Sequence, residues 1–448
     1  MILPNHVVLG IMTVLFLGLG YLGVPVAFAL IAGVLVGTAL TPITFQSIIG
    51  QLFNGIDSAA LMAIPFFLLV GELMTSAGVI VRIATLSQAM VGHVRGGLAQ
   101  VTTVFSMFFS GMSGSSTADV AVLSRTMARP MAIEGYRPEF VAALIAAAST
   151  IAALVPPSIM AVVYGAIGNV SIAGLFLGGI VPGLMVGAGL MLYCYFFGPS
   201  GMRRPRASFR ELGGATRAAA LPLMIPVILL GGIMTGWFTP TEAGVVAITY
   251  ILVVVIPLLN RRHMRLVPRD FVHAGLVFSL PLITIAAASA FGWLLAYLRG
   301  PIVVAGWIGD AAGTDPRMIM FLLVIVFVIV GDFIEPIPAI IIFMPVVNQL
   351  TDTANINGVH MGVVLIVTLA FGLITPPYGL ALLMASKFIG VRFSTSLLAS
   401  LPIYLIFFAT IAFTIFFPGV VLWLPKLVFP ESVGCFKAPS GIGYICPG

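Results

Sequence analysis

Charge is what this chain has least of. Only 8% of its 448 residues are Asp, Glu, Lys or Arg, against 60% hydrophobic residues and a mean hydropathy of +1.18. A water-soluble domain cannot cover its surface with so few charges, which excludes that class and leaves an integral membrane protein. Cysteine is nearly missing as well: Cys194 lies in an apolar stretch, Cys435 and Cys446 near the end. No CxxC or Cys/His spacing is present that would hold a metal. HExxH, GxSxG in a plausible context and GxxxxGK[ST] are all absent, which removes the grounds for a membrane-embedded enzyme or an ATP-driven pump. The histidines show no partner pattern and receive no role. The formal charge of +6 gives no support to nucleic-acid binding, because the arginines gather in short loops. The N-terminus lacks the basic region and small-residue cleavage site of a signal peptide and reads as a first membrane helix.

What is present is a series of long apolar stretches. None alternates over about ten residues, so they predict helices and not a barrel. Helices are expected at 5–22, 24–39, 55–78, 172–198, 219–237, 242–259, 272–298 and 395–417. The stretch 40–52 reads as a loop, and 79–99, with Arg82, His93 and Arg95, as an amphipathic surface connector.

Four further stretches are interrupted. Residues 100–123 enclose Ser110-Gly111-Met112-Ser113-Gly114-Ser115-Ser116-Thr117-Ala118-Asp119. Each flank holds only ~10–14 apolar residues, too short to cross a core of roughly 30 Å as a helix, so a re-entrant hairpin is predicted. Residues 140–168 are broken at Pro156-Pro157. Both features recur 220 positions later: Gly111 maps onto Gly331, Pro156-Pro157 onto Pro376-Pro377, and Pro182 onto Pro402. The second hairpin is expected over 317–349, with Gly331 to Pro336 at its tip, and the second broken helix over 361–389. Three landmarks in one register indicate a duplicated transporter fold, in which Gly/Pro-interrupted segments at matching positions mark the site.

Basic residues give the orientation. Placing loops 79–99, 124–139, 199–217, 260–270 and 390–394 in the cytoplasm puts fifteen of the twenty Lys and Arg there. Loop 124–139 holds three arginines and its counterpart 344–359 none; 260–270 holds four and 40–52 none. Matching loops thus face opposite sides, so each half crosses an odd number of times and the second copy is inverted. The N-terminus and tail then lie outside. The fold class expected is an all-α polytopic membrane protein of two inverted repeats, with re-entrant hairpins and broken helices.

The tips offer oxygen. A partly dehydrated alkali cation needs about six oxygen ligands. Ser113, Ser115, Ser116, Thr117 and Asp119 supply hydroxyls and a carboxylate, and Pro156 and Pro157, lacking N–H groups, free carbonyls near Ala152 to Val155. Gly331, Asp332, Glu335, Gly372 and Thr375 are the second-half equivalents. The bland readings are packing for the small residues, tip capping for Asp332 and Glu335, structural pairing for Glu72, helix capping for Glu242, and snorkelling for Arg125 and Lys387. An acid at depth such as Asp119 is functional by default.

Several motifs, in order, match one family. Gly23-Val24-Pro25-Val26-Ala27-Phe28, Ile64-Pro65-Phe66-Phe67-Leu68-Leu69-Val70-Gly71-Glu72, Ser113 to Asp119, Val155-Pro156-Pro157-Ser158, Thr239-Pro240-Thr241-Glu242-Ala243 and Thr375-Pro376-Pro377 resemble the large membrane subunit of TRAP (tripartite ATP-independent periplasmic) transporters. The likeness runs from about 5 to 427. It implies an elevator-type secondary transporter, not an enzyme, in the bacterial inner membrane. It implies no cofactor, sodium as coupling ion, and a small organic acid such as a C4-dicarboxylate or sialic acid as substrate. A periplasmic binding protein delivers that substrate, and a small four-helix subunit, here expected as a separate chain, packs on the scaffold. It divides the chain into 1–95 and 219–315 (scaffold and connectors), 96–198 and 316–417 (the two halves of the transport domain), the basic loop 199–218 and the periplasmic tail 418–448. Sodium would be bound by Ser113, Ser115, Thr117, Asp119, Ala152 and Val155, and by Gly331, Asp332, Glu335, Gly372 and Thr375. Ser116 and the proline pairs would meet substrate. A stand-alone sodium/carboxylate symporter is the alternative. The chain departs from the family after Leu427: Cys435 and Cys446 there form a disulfide, or the tail is unstructured. Neither the particular acid nor the sodium stoichiometry follows from the residues.

Overall fold

The computed structural model describes residues 3–199, 205–437 and 444–445. The fold is helical. The chain opens with α1 (Asn5–Tyr21) and α2 (Val26–Ala39), joined by a turn at Gly23, then α3 (Phe45–Asn54). Helix α3 corrects the expected loop 40–52. Thr44 caps it by accepting a hydrogen bond from Ser47 N at 3.3 Å, and Phe45, Ile48, Ile49, Leu52 and Phe53 repeat at helical spacing.

Helix α4 (Ala63–Ser76) begins eight residues later than expected, after turns over 55–62, and α5 (Val79–Val91) follows across a 78° bend. Gly78, at φ +77, makes that bend. The first hairpin is α6 (Gly97–Ser113) and α7 (Ser116–Ile133). Its arms are longer than the apolar count allowed, and α7 takes in more than half of the expected loop 124–139. In a buried arm the hydroxyls do not end the helix. Thr102 and Thr103 donate back to Leu98 O and Ala99 O at 2.8 and 3.2 Å, so the helix runs through them.

The first broken helix is α8 (Pro138–Ser149), a 3-10 turn Thr150–Ala153, and α9 (Ile159–Gly168); α10 (Ile172–Phe197) then returns. The second half repeats the order. It comprises α11 (Phe209–Met234), α12 (Pro240–Tyr250), a π turn Ile251–Val255, α13 (Ile256–Leu259), a 3-10 turn Arg261–Arg265, α14 (Val267–Tyr297) and α15 (Gly300–Ala312). The hairpin α16 (Pro316–Phe333) and α17 (Pro336–Thr353) follows, then the broken pair α18 (Gly358–Gly372) and α19 (Leu380–Ile389), and α20 (Phe393–Phe416). The described part of loop 199–217 and loop 260–270 are thus partly helical. Among the described residues, six helices are long and apolar enough to cross a membrane, seven with the bent pair α4–α5. The order hairpin, broken helix, long helix therefore occurs twice, and the alternating basic loops invert one copy against the other.

The tail adds α21 (Pro418–Val421), α22 (Trp423–Val428), a 3-10 turn Pro430–Val433 and a two-residue antiparallel pair, β1 (Phe436–Lys437) with β2 (Tyr444–Ile445). It lies on the starts of α10 and α18, where Asn357 Nδ2 donates to Val433 O at 3.0 Å. Cys435 is buried and disulfide-bonded, whereas Cys446 lies outside the described residues; Cys194 is a buried free thiol.

The broken helices form the axis of the molecule. Every residue of α18 from Val359 to Gly372 is buried, as is α8 from Phe140 to Ser149. Around them the halves interlock: α19 packs on α7 and α8, α17 on α9, and α20 on α8 and α10. A second group gathers around α14, which packs on α2, α3 and α4, while α12 meets α4 and α11 meets α5. Capping follows the sequence. Thr239 N donates to Glu242 Oε2 at 2.8 Å and Glu242 N to Thr239 Oγ1 at 3.3 Å, a reciprocal capping box.

Candidate functional site

Each hairpin tip meets the break of the following helix. Helix α6 ends because Gly114 takes up a left-handed conformation, φ +61, and α7 starts because the Ser115 hydroxyl accepts Ala118 N at 3.5 Å. Gly114 O accepts Ile159 N at 3.3 Å, the first residue of α9. On the far side of the break, Ser158 caps α9 through Ala161 N at 3.3 Å and donates to Ala153 O at 2.5 Å. One of the carbonyls expected to be free is therefore occupied by a serine. Pro156-Pro157 and Pro376-Pro377 are both cis.

Asp119 is fully buried. Ser113 donates to its Oδ1 and Ser110 to its Oδ2, the latter at 3.1 Å. Ser113 is among the expected residues. Ser110 was missed, because it sits nine positions upstream on the other arm and no local spacing joins it to Asp119. Ser115 and Thr117 share a hydrogen bond at 3.1 Å beside them. Among the described residues, no Lys or Arg is ion-paired to Asp119, Asp332 or Glu335; the two ion pairs are His263–Asp270 at 2.6 Å and His273–Glu72 at 3.1 Å. No cluster of three or more His, Cys, Asp or Glu side chains is found among the described residues.

The second half is built differently. Gly331 and Gly372 let α16 and α18 touch backbone to backbone: a Cβ at Gly372 would meet Gly331 Cα at 3.1 Å. That closeness lets Thr375 donate to Asp332 Oδ1 at 2.5 Å, while Asp332 O accepts Tyr378 N at 3.2 Å. Glu335 starts α17 without a side-chain capping bond, so capping does not account for it. Thr375→Val removes Asp332's hydroxyl partner. Because Asp332 is partly solvated, we expect a loss of about 1 kcal/mol, read as a lower thermal midpoint of the purified protein, with Thr375→Ser close to wild type.

Both tips face one cavity of about 670 Å³. Its walls carry Ser113, Ser115, Ser116 and Thr117 from the first tip, Glu335 from the second, and Leu373 and Tyr378 from the second break. Glu72 and Thr75 of α4 and His273 of α14 line it as well. Ala152, Val155, Gly331, Asp332, Gly372 and both proline pairs are not on the wall; around the prolines Ala153, Ile159, Tyr378 and Leu380 take that place. Pro156 and Pro157 are buried, and Pro376 and Pro377 are exposed. Asp119 and Ala152 are buried behind the cavity surface, and Val155 is half-buried off its wall. The pairing of Glu72 with His273 joins residues 201 positions apart, which no sequence pattern reveals. Arg125 also lines the cavity.

This arrangement coincides with a clear kinship. The pattern of the family "Tripartite ATP-independent periplasmic transporter, DctM component" matches residues 13–420. The chain belongs to that family. The chain is 36% identical to the sialic acid TRAP transporter large permease protein SiaM of Vibrio cholerae, covering 92% of this chain and 97% of that protein. It is 35% identical to the C4-dicarboxylate TRAP transporter large permease protein DctM of Pseudomonas aeruginosa (88% and 93% covered). It is 32% identical to the 2,3-diketo-L-gulonate large permease protein YiaN of Escherichia coli (90% and 95%). In structure it is similar to the YdaH transporter of Alcanivorax borkumensis, with a TM-score of 0.58 over 84% of this chain and 88% of that one at 15% identity, a likeness of fold alone. The relatives are transport permeases, and this TRAP chain is a multi-span permease component.

Proposed function

We propose that this chain is the large permease subunit of a sodium-coupled TRAP transporter that imports a small organic acid. The observation that carries the coupling is Asp119: a fully buried carboxylate with two hydroxyl donors and, among the described residues, no cationic side chain paired to it. A carboxylate removed from water needs a cation or a proton beside it. With Ser110 and Ser113 it offers sodium, as cargo, a hard oxygen set of the right kind. Asp332 with Thr375 is the second such pair. Relatives are named for sialic acid, C4-dicarboxylates and 2,3-diketo-L-gulonate, which supports an organic acid as the substrate class.

In this reading a periplasmic binding protein delivers the acid, and a small four-helix subunit on a separate chain packs against the α14 group. The two hairpins and broken helices move as one body against that group, an elevator in the bacterial inner membrane with both termini periplasmic. The cavity lies where the two groups meet, the place where such a movement would carry cargo. The test is uptake in proteoliposomes holding the chain and its small subunit, with the sodium gradient and the cognate binding protein varied independently. Uptake is expected only with both. Uptake without binding protein would favour a stand-alone sodium/carboxylate symporter, and uptake indifferent to sodium would remove both ion sites.

A further inference from the structure

The cavity wall carries one arginine, and among the described residues no acid is ion-paired to it. Arg125 stands on α7, where Ala118, Ala121, Val122 and Arg125 recur at helical spacing and all line the cavity. The residue is therefore on the same helix face as the hairpin tip, and its exposed side chain stands at the wall of the cavity. Two acids share the wall. Glu72 is bonded to His273 at 3.1 Å, and Glu335 has no ion-pair partner among the described residues. Arg125 too has no ion pair among the described residues.

A second group at the same wall lacks a partner. Ser116 is 6% exposed and lines the cavity, yet its buried hydroxyl makes no hydrogen bond. Buried hydroxyls in a finished core are bonded, so this one is free for a ligand. At 1.5 Å per residue, Ser116 and Arg125 are about 13 Å apart along α7. Helical side chains lean toward the N-terminus, so a long Arg125 side chain shortens that gap.

We infer that Arg125 holds a carboxylate of the substrate at the end of the cavity away from the hairpin tips, while Ser116 takes a polar group at the tip end. This rests on the organic-acid reading above. A guanidinium keeps its charge at any working pH and presents a fork of donors that matches a carboxylate. Apolar cavity walls strengthen the attraction. The spacing selects acids long enough to reach from one group to the other, and the sign selects against neutral and cationic solutes.

The experiment is ligand binding by calorimetry to the purified complex of this chain with its small subunit, in sodium. The probes are succinate, N-acetylneuraminate and the neutral succinamide. Arg125→Gln is expected to weaken the acid that binds by at least about tenfold, with Arg125→Lys in between, succinamide indifferent, and sodium affinity unchanged. Ser116→Ala is expected to weaken that acid by a few-fold. Because Arg125 is exposed, its variants should fold. Unchanged acid binding by Arg125→Gln overturns the assignment and leaves the organic-acid reading standing. Failure of the wild-type complex to bind either acid, in sodium, overturns that reading and the assignment together.

Discussion

Asp119→Asn abolishes sodium-driven uptake while leaving the sodium-free protein as stable as wild type, or more so. This result separates an ion site from a structural acid. Asp119 supplies the only formal negative charge on the first hairpin tip, and it is fully buried. Losing the charge opposite a desolvated cation costs about 3–5 kcal/mol, which is roughly two to three and a half powers of ten in affinity. Asparagine's carbonyl oxygen still accepts from one of the two serines, and its NH2 donates to the other once that hydroxyl turns to accept, so the local bonds that hold α6 to α7 survive. Without sodium the wild-type protein must keep that carboxyl out of water either as an uncompensated charge or by taking up a proton, and asparagine removes the burden.

Two measurements read this: sodium-dependent uptake in proteoliposomes, and the thermal midpoint with and without sodium. The wild type should gain stability from sodium, and Asp119→Asn should lose much of that gain. A structural acid behaves in the opposite way. If Asp119→Asn unfolds easily and still transports with sodium, the first ion site is wrong. If uptake by the wild type follows a proton gradient with sodium absent, the carboxylate serves a proton.

The repeat, the two breaks and the acid were all legible in sequence, because each leaves a local mark. A proline pair ends a helix wherever it stands, and 220 positions of offset need only counting. Helix arms were less legible. Thr102 and Thr103 look like the end of an apolar stretch, and only their back-bonds to α6 show that the helix continues. Helix α3 was readable and was masked by its neighbours: a ten-residue amphipathic run between two apolar helices looks like a connection. The partners of the acids were not readable. Ser110 reaches Asp119 across a hairpin, Thr375 reaches Asp332 across 43 positions, and His273 reaches Glu72 from the other half. Those pairs depend on how α6 folds back on α7 and how α14 lies on α4. The extent of the cavity has the same origin. The prolines that mark the breaks stand off its wall, and residues just beside them line it.

Gly114→Ala is expected to destabilise the protein by more than about 2 kcal/mol and to reduce uptake at least tenfold. Two independent terms act at this position. The residue sits at φ +61, where a non-glycine residue costs roughly 1–2 kcal/mol. A Cβ there would also stand 2.6 Å from Pro157 O, and both groups are held by backbone, so neither can yield by turning a side chain. The hairpin tip has to move off the break. That breaks the bond from Ile159 N to Gly114 O and shifts Ser113 away from its geometry at Asp119. Gly135 supplies the control. It has a similar φ of +79, but nothing lies within 4 Å of where its Cβ would be. Gly135→Ala therefore carries the conformational term alone, about 1 kcal/mol, and should leave uptake near wild type. The difference in thermal midpoint between the two variants isolates the contact of tip and break. Equal midpoints would mean that the tip slides on the break without resistance, and the oxygen set at Asp119 would then lack the rigid wall assigned to it here.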